Sequence, residues 1–236
     1  MIDTVMFDLD GTLLHMRQDE FISVYFALLA ADFARLGLDP ERAVAAVWAG
    51  TKAMAENDGS MPNSRRYWDV FASRMELSGE RLEEVEAATD DFYAGPFDEV
   101  RSVVTPSELP RRMVRQLAAK GFRVILATNP FFPLCGVATR LNWLGLTPDD
   151  FALVTSYSNS TYCKPNLGYY REVFTKLGLS PSQCLMAGNN AAEDMCVSEL
   201  GAATYLVTDC LEGSDSPYVP DRSGTLADLE RYLSAL

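Results

Sequence analysis

Two carboxylates two residues apart, Asp8 and Asp10, stand in the pentad Asp8-Leu9-Asp10-Gly11-Thr12, directly after the apolar run Val5-Met6-Phe7. Such a pair can divide labour: one carboxylate attacks an electrophile while the other moves protons. A short hydrophobic stretch closed by a glycine-containing turn reads as a buried strand over Val5–Leu9. Residues i and i+2 of a strand project to the same side, which predicts Asp8 and Asp10 side by side where the strand ends. Adjacent acids repel unless a cation separates them, and a hard divalent ion such as Mg²⁺ takes oxygen ligands of this kind. The plainer alternative is a strand and a turn in which Asp10 or Thr12 only caps the next element.

The elements that must position these acids are legible in outline. Strand-like runs recur at Val5–Leu9, Val124–Thr128, Ala152–Ser156, Leu185–Gly188 and Thr204–Val207. From the second onward, helical patterns separate them: Leu109 to Lys120 ended by Gly121, Pro133 to Leu144 ended by Gly145, and Leu167 to Leu177 ended by Gly178. This alternation predicts βαβ units on a parallel sheet. Open α/β sheets bind ligands at the carboxyl ends of their strands, where the pentad lies.

The stretch between the first two strands breaks the scheme. Residues 15 to about 99 carry no strand signal but four helical patterns, roughly 19–36, 40–57, 63–77 and 79–94, with Gly37, Pro40, Gly59, Pro62, Gly79, Gly95 and Pro96 at the breaks. A crossover needs only a dozen or so residues. The excess predicts a separate helical domain inserted after the first strand, placed to act as a lid. The fold expected is α/β: a Rossmann-like parallel sheet core in three α/β/α layers over residues 1–14 and 100–236, with an all-helical cap over 15–99.

Further polar groups stand at the ends of later strands. Thr128-Asn129 follows Val124–Ala127, Lys164-Pro165 precedes a helix beginning near Asn166, and Gly188-Asn189-Asn190-Ala191-Ala192-Glu193-Asp194 follows Leu185–Ala187 and is expected to open a helix. Singly these have ordinary readings as N-caps, a solvated loop lysine and acids at the positive end of a helix. Together, a carboxylate pair, a hydroxyl/amide pair, a lysine and an acid pair fall in order at successive strand ends.

With these motifs the chain resembles the haloacid dehalogenase superfamily, in its magnesium-dependent phosphatase branch with a helical cap inserted after the first motif. The resemblance spans nearly the whole chain. It implies Asp8 as the nucleophile that forms an aspartyl-phosphate, and Asp10 as the acid that protonates the leaving oxygen and then activates water. It implies Thr128 and Asn129 as holders of the phosphoryl oxygens and Lys164 as the group that orients Asp8. Mg²⁺ would be held by Asp8, the Asp10 backbone carbonyl and the fourth motif, here Asn189 and Asp194.

The fourth motif departs from the pattern, because Asn189 stands where the first acid belongs, while Glu193 and Asp194 fill both permitted spacings for the second. An amide oxygen still ligates Mg²⁺ but brings no charge, which predicts weaker metal binding. The stiff apolar loop Pro130-Phe131-Phe132-Pro133 is a second departure. The expected activity is Mg²⁺-dependent hydrolysis of small phosphate monoesters, the alternatives being a phosphomutase of the same family or a catalytically impaired protein that binds phosphorylated ligands. Dehalogenation is disfavoured, since displacing halide from carbon needs neither Mg²⁺ nor a leaving-group acid, and that branch typically lacks an acid at the position of Asp10.

Composition narrows the partners. The 236 residues carry a formal net charge of −13, with 48% hydrophobic and 22% charged residues, as suits a soluble protein with a sizeable core. That charge argues against nucleic acid and anionic membrane surfaces, leaving a small phosphorylated molecule as the expected partner. Met1-Ile2-Asp3-Thr4 has no basic region ahead of an apolar one, so no leader is expected. Five scattered cysteines without Cys-x-x-Cys spacing read as reduced thiols of a cytoplasmic protein. Lys52, Asn63, Arg65 and Arg66 are candidates for choosing the substrate from the cap.

Overall fold

The computed structural model describes residues 2–236. Its centre is β1 (Thr4–Phe7), in which all four residues are buried, as a strand covered on both faces requires. Alternation splits the neighbours of β1 between two layers. Val5 and Phe7 belong to one apolar cluster with α5 (Leu109–Ala119), whereas Met6 belongs to another with α7 (Leu167–Leu177). The remaining core strands are β4 (Arg123–Leu126), β5 (Leu153–Val154), β6 (Cys184–Gly188), β7 (Ala203–Val207) and β8 (Arg222–Gly224). They form one parallel six-stranded sheet in the order β5-β4-β1-β6-β7-β8. The order turns back on either side of β1, so the crevice of the sheet opens at the carboxyl end of that strand. Helices α6 (Leu134–Trp143) and α8 (Leu226–Ser234) complete the layers.

Between β1 and β4 the chain leaves the sheet through β2 (His15–Met16), builds four helices, and returns through β3 (Val104–Thr105). The helices are α1 (Gln18–Arg35), α2 (Pro40–Ala55), α3 (Asn63–Met75) and α4 (Gly79–Ala94). In α1, Phe21, Tyr25, Leu29 and Phe33 repeat every fourth residue and are buried, one stripe facing the bundle. Pro40 and the Asp39 carboxylate, which accepts from the Arg42 N–H at 2.8 Å, start α2. The block is tied to the sheet domain by the Asn63 N–H donating to the Ser160 carbonyl and the Ser64 N–H donating to the Tyr157 carbonyl, both at 2.9 Å.

Three expectations need correction. The stretch from residue 15 does contain strand: His15 and Met16 pair antiparallel with Thr105 and Val104, so the outgoing and returning chains run side by side. A sixth core strand, β8, has no apolar run to announce it, because its sequence Arg222-Ser223-Gly224 lies at the sheet edge. Residues 189–194 do not open an α-helix; a 3₁₀ turn at Met195–Leu200 comes after them instead. Local side-chain bonds take the backbone donors: Asn190 Oδ1 accepts from the N–H groups of Ala192 and Glu193, and Asp194 Oδ2 from that of Asn190, all at 3.0 Å.

Candidate active site

The loop after β1 leaves strand geometry at Phe7, so the i, i+2 argument does not govern Asp10, and the two acids are held by different cations. Lys164, between β5 and α7, is buried and donates from Nζ to Asp8 Oδ1 at 3.0 Å and to Asp194 Oδ1 at 2.7 Å. Asp10 pairs instead with Arg140 of α6, a fully buried guanidinium lying 4.1 Å over the Phe132 ring. Thr12 Oγ1 lies 3.1 Å from Asp8 Oδ2 and 2.9 Å from Asn189 Oδ1, sharing one proton between two acceptors. Asn189 in turn donates from Nδ2 to the Cys210 carbonyl at 2.7 Å.

Two glycines let this packing close. Gly11 turns at φ 81°, and a Cβ there would strike the Asn189 amide. A Cβ on Gly188 would occupy the place of the Asp194 carboxylate. At the end of β4, the Thr128 carbonyl accepts from the hydroxyls of Thr155 at 2.7 Å and Tyr169 at 2.9 Å, fixing Thr128 at the cavity wall. Asn129 is committed within the protein: its Nδ2 donates to Glu193 Oε2 at 2.9 Å and its Oδ1 accepts from the Lys164 N–H at 3.2 Å.

Charge and burial set the protonation tendencies. Burial raises the pKa of Asp10; Arg140 opposes the shift and the neighbouring Asp8 adds to it. Oδ1 of Asp10 is buried and has no hydrogen-bond partner. Burial pushes Asp194 up to about 7 against the pull of Lys164. Burial also works against the Lys164 ammonium, but Asp194 and Asp8 outweigh it and hold the lysine well above its ordinary value.

Asp8, Asp10, Thr128, Asn129, Asn189 and Asp194 all border one cavity of about 220 Å³, roofed by side chains of α1 to α4. The cap candidates do not reach it. Lys52, Arg65 and Arg66 pair with Glu56, Asp69 and Asp58, and Asn63 is buried against the sheet domain, its amide donating to the Tyr162 carbonyl at 3.3 Å.

Known proteins share the sheet-and-helix architecture of this chain. The haloacid dehalogenase-like hydrolase family matches residues 2–195. The chain belongs to that family. Among solved structures, this hydrolase is similar to a 2-haloacid dehalogenase from Pseudomonas syringae pv. tomato DC3000, with 22% identity, TM-score 0.65 and coverage of 100% of this chain and 99% of that one. It is also similar to a HAD phosphatase from Thermococcus onnurineus, with 17% identity, TM-score 0.61 and 98% of each chain covered. A predicted phosphoglycolate phosphatase from Haemophilus somnus 129PT matches at 19% identity and TM-score 0.57, over 98% of this chain and 97% of that one. A search of curated proteins finds no match. These likenesses carry the fold, and they include both phosphatases and dehalogenases.

Sequence reasoning misses two residues of the hydrolase's site. Thr12 reads in sequence only as a cap, yet it joins Asp8 to Asn189. Arg140 belongs to no motif, although a signal is there: it sits on the buried stripe Gly136, Val137, Arg140, Leu141 of α6, and a charge on such a stripe demands a partner. Among the described residues, no group of three or more His, Cys, Asp or Glu side chains is arranged to hold a metal, and no helix is long and apolar enough to cross a membrane.

Proposed function

We propose that this hydrolase cleaves phosphate monoesters through a covalent intermediate on Asp8. The observation that carries the reading is Asp10: a second carboxylate on the same cavity, raised by burial and with one oxygen unpartnered. An alkoxide leaving from phosphorus needs a proton, whereas a halide leaving from carbon does not, so a poised second acid favours the phosphoryl chemistry. An Asp8 oxygen attacks phosphorus as the ester P–O bond breaks, and Asp10 gives its proton to the departing oxygen. Asp10 then takes a proton from water, which attacks the phosphorus and releases Asp8. Lys164 holds Asp8 in place and offsets charge on the transferring group, and Thr128 offers a hydroxyl at the cavity wall. Asn129, with both ends of its amide engaged, positions Lys164 and Glu193.

The ligands that the family resemblance assigns to Mg²⁺ are all hard oxygens: those of Asp8 and Asp194, the Asn189 amide oxygen and the Asp10 backbone carbonyl; of these, Asn189 shares Thr12 with Asp8, and Asp194 shares Lys164 with it. Mg²⁺ takes one or two carboxylates and keeps several waters, so this set fits it, although weakly for want of charge at Asn189. Both oxygens of Asp194 already accept hydrogen bonds, one from Lys164 and one from the Asn190 N–H, which favours its acting through coordinated water. When bound, the ion screens the repulsion between Asp8 and the phosphate dianion. Residues 15–99 act in this reading as a cap over the reacting groups.

Uncatalysed hydrolysis of phosphate monoesters is so slow that enhancements reach ~10²¹, and one proton transfer contributes about 10²–10⁴ of that. The test is phosphate release from a panel of monoesters with Mg²⁺ present, repeated on Asp8→Asn. Turnover that falls by on the order of 10⁴ or more in the variant supports the reading. Halide release from 2-haloacids without phosphate release from any ester contradicts it.

A further inference from the structure

The charges around the cavity are unevenly placed. Asp8, Asp10, Glu193, Asp194 and Glu212 border it, and among the described residues no Lys or Arg does. The nearest cations are spoken for: Arg140 pairs with Asp10, and Lys164 with Asp8 and Asp194. The acids all come from the strand-end loops, and the helical side is made chiefly of rings. Phe26 of α1 stacks on Trp48 of α2 with centroids 4.8 Å apart, and Tyr67 meets Trp68 of α3 edge-on at 5.1 Å. Two hydroxyls on that side are satisfied internally: Tyr25 and Tyr93 bond each other at 2.7 Å. The hydroxyl of Thr89 donates to the Val85 carbonyl of its own helix at 2.8 Å.

We infer that the alcohol half of the substrate is uncharged and apolar, a single aromatic ring or a group of that size, and that esters bearing a second anion are rejected. The inference rests on the hydrolase reading above and names its substrate class. A carboxylate or second phosphate would enter a space bordered by acids with no free cation, losing hydration without a partner. A polyol would meet the unengaged Gln18, Thr51 and Tyr67 side chains on the helical side, too few for several hydroxyls, and leaving the rest unpaired is costly. A cationic group gains about 2 kcal/mol at best from aromatic faces, less than the several kcal/mol lost on burying an ammonium with no carboxylate at the helical end. Size agrees: a cavity of ~150 Å³ holds benzene, so about 220 Å³ accommodates one ring and a phosphoryl group.

Two measurements on the full chain separate this inference from the reading beneath it. The first compares kcat/KM for benzyl phosphate, phosphoglycolate and phosphocholine with Mg²⁺ present. Burial of one ring predicts an advantage of at least about tenfold for the benzyl ester over each charged one; equality or reversal overturns the inference and leaves a phosphatase. The second needs no turnover: binding of benzylphosphonate and phosphonoacetate, read by quenching of Trp48 and Trp68. Tighter binding of benzylphosphonate without hydrolysis of any ester sinks the phosphatase reading and leaves the ligand class standing. Failure of benzylphosphonate to bind more tightly overturns the ligand class. As a converse, Thr51→Arg adds a cation to the half-buried cavity face of α2, and is expected to move the ratio of the two substrates toward phosphoglycolate by about tenfold. An unmoved ratio in a folded variant counts against the inference.

Discussion

At the strand ends, Asp8, Thr12, Lys164, Asn189 and Asp194 bind one another through contacts of 2.7–3.1 Å, whereas the helices above meet the same cavity with rings packed on other rings. The first region is directional. Each group has a named partner, so moving one atom leaves a buried polar group unsatisfied, at about 1–3 kcal/mol. The second is non-directional, and it discriminates by shape and by the absence of charge. In the proposed reading the contrast separates two jobs: the strand ends would carry the reaction, and the helices would decide what is presented to it. Changes at the strand ends should therefore alter kcat, and changes in the helical side should alter KM.

The largest expected effect that tests this division is at Asp10. Asp10→Asn should lower kcat by about 10²–10⁴, with the greatest loss for alkyl esters and the least for p-nitrophenyl phosphate, whose leaving group needs little protonation. An equal loss across leaving groups would deny Asp10 its proton-donor role. Arg140→Met comes next, because removing one partner of a buried pair costs about 3–5 kcal/mol, which thermal unfolding would show. The same change has a pH signature. Arg140 stabilises the Asp10 carboxylate, so without it the pKa of Asp10 rises further. Proton donation is lost as pH rises through that pKa, and the alkaline limb of the kcat profile should therefore move upward. A limb that stays put or moves down means Asp10 is not the group being titrated.

Asn189→Asp probes the fourth motif more gently. The added charge should lower the half-saturating Mg²⁺ concentration by about tenfold. It should also cost the fold about 1–3 kcal/mol, since the Cys210 carbonyl loses its 2.7 Å donor. Metal dependence that is unchanged or weaker in the variant would remove Asn189 from the metal-binding set. The smallest effect is expected at Trp48, which remains 48% exposed at the rim while stacked on Phe26. Trp48→Ala should raise KM for an aromatic ester about three- to tenfold and leave kcat nearly unchanged. A loss confined to kcat would break the division between the two regions.

Legibility in the sequence divides along the same line. Strands β1 and β6 are buried throughout and β4 and β7 mostly so, which makes their runs largely apolar, and each lies within two residues of its expected span. Helices α1 to α4 begin within a residue of expectation, since glycine and proline punctuate them and their stripes repeat at helical spacing. The edge strand β8 and the short β2–β3 pair carry no such pattern. At the site, Lys164 is legible as a lysine just ahead of a helix, although it lies ten residues beyond β5 and not at the strand's end, and its burial between two acids depends on loops distant in sequence. Arg140 pairs with a residue 130 positions away, and no local rule names that partner. The aromatic character of the cavity is hidden because its rings come from separate helices and look, in sequence, like ordinary core residues.

The most direct measurement uses a phosphate monoester mixed with enzyme, quenched in acid within one turnover, and reduced with borohydride before peptide mass analysis. An aspartyl-phosphate at residue 8 is reduced to homoserine at that position, and the proposal predicts this product at residue 8 alone, absent from Asp8→Asn. Reduction at another carboxylate, or full hydrolysis with residue 8 recovered as aspartate at every quench time, would contradict it.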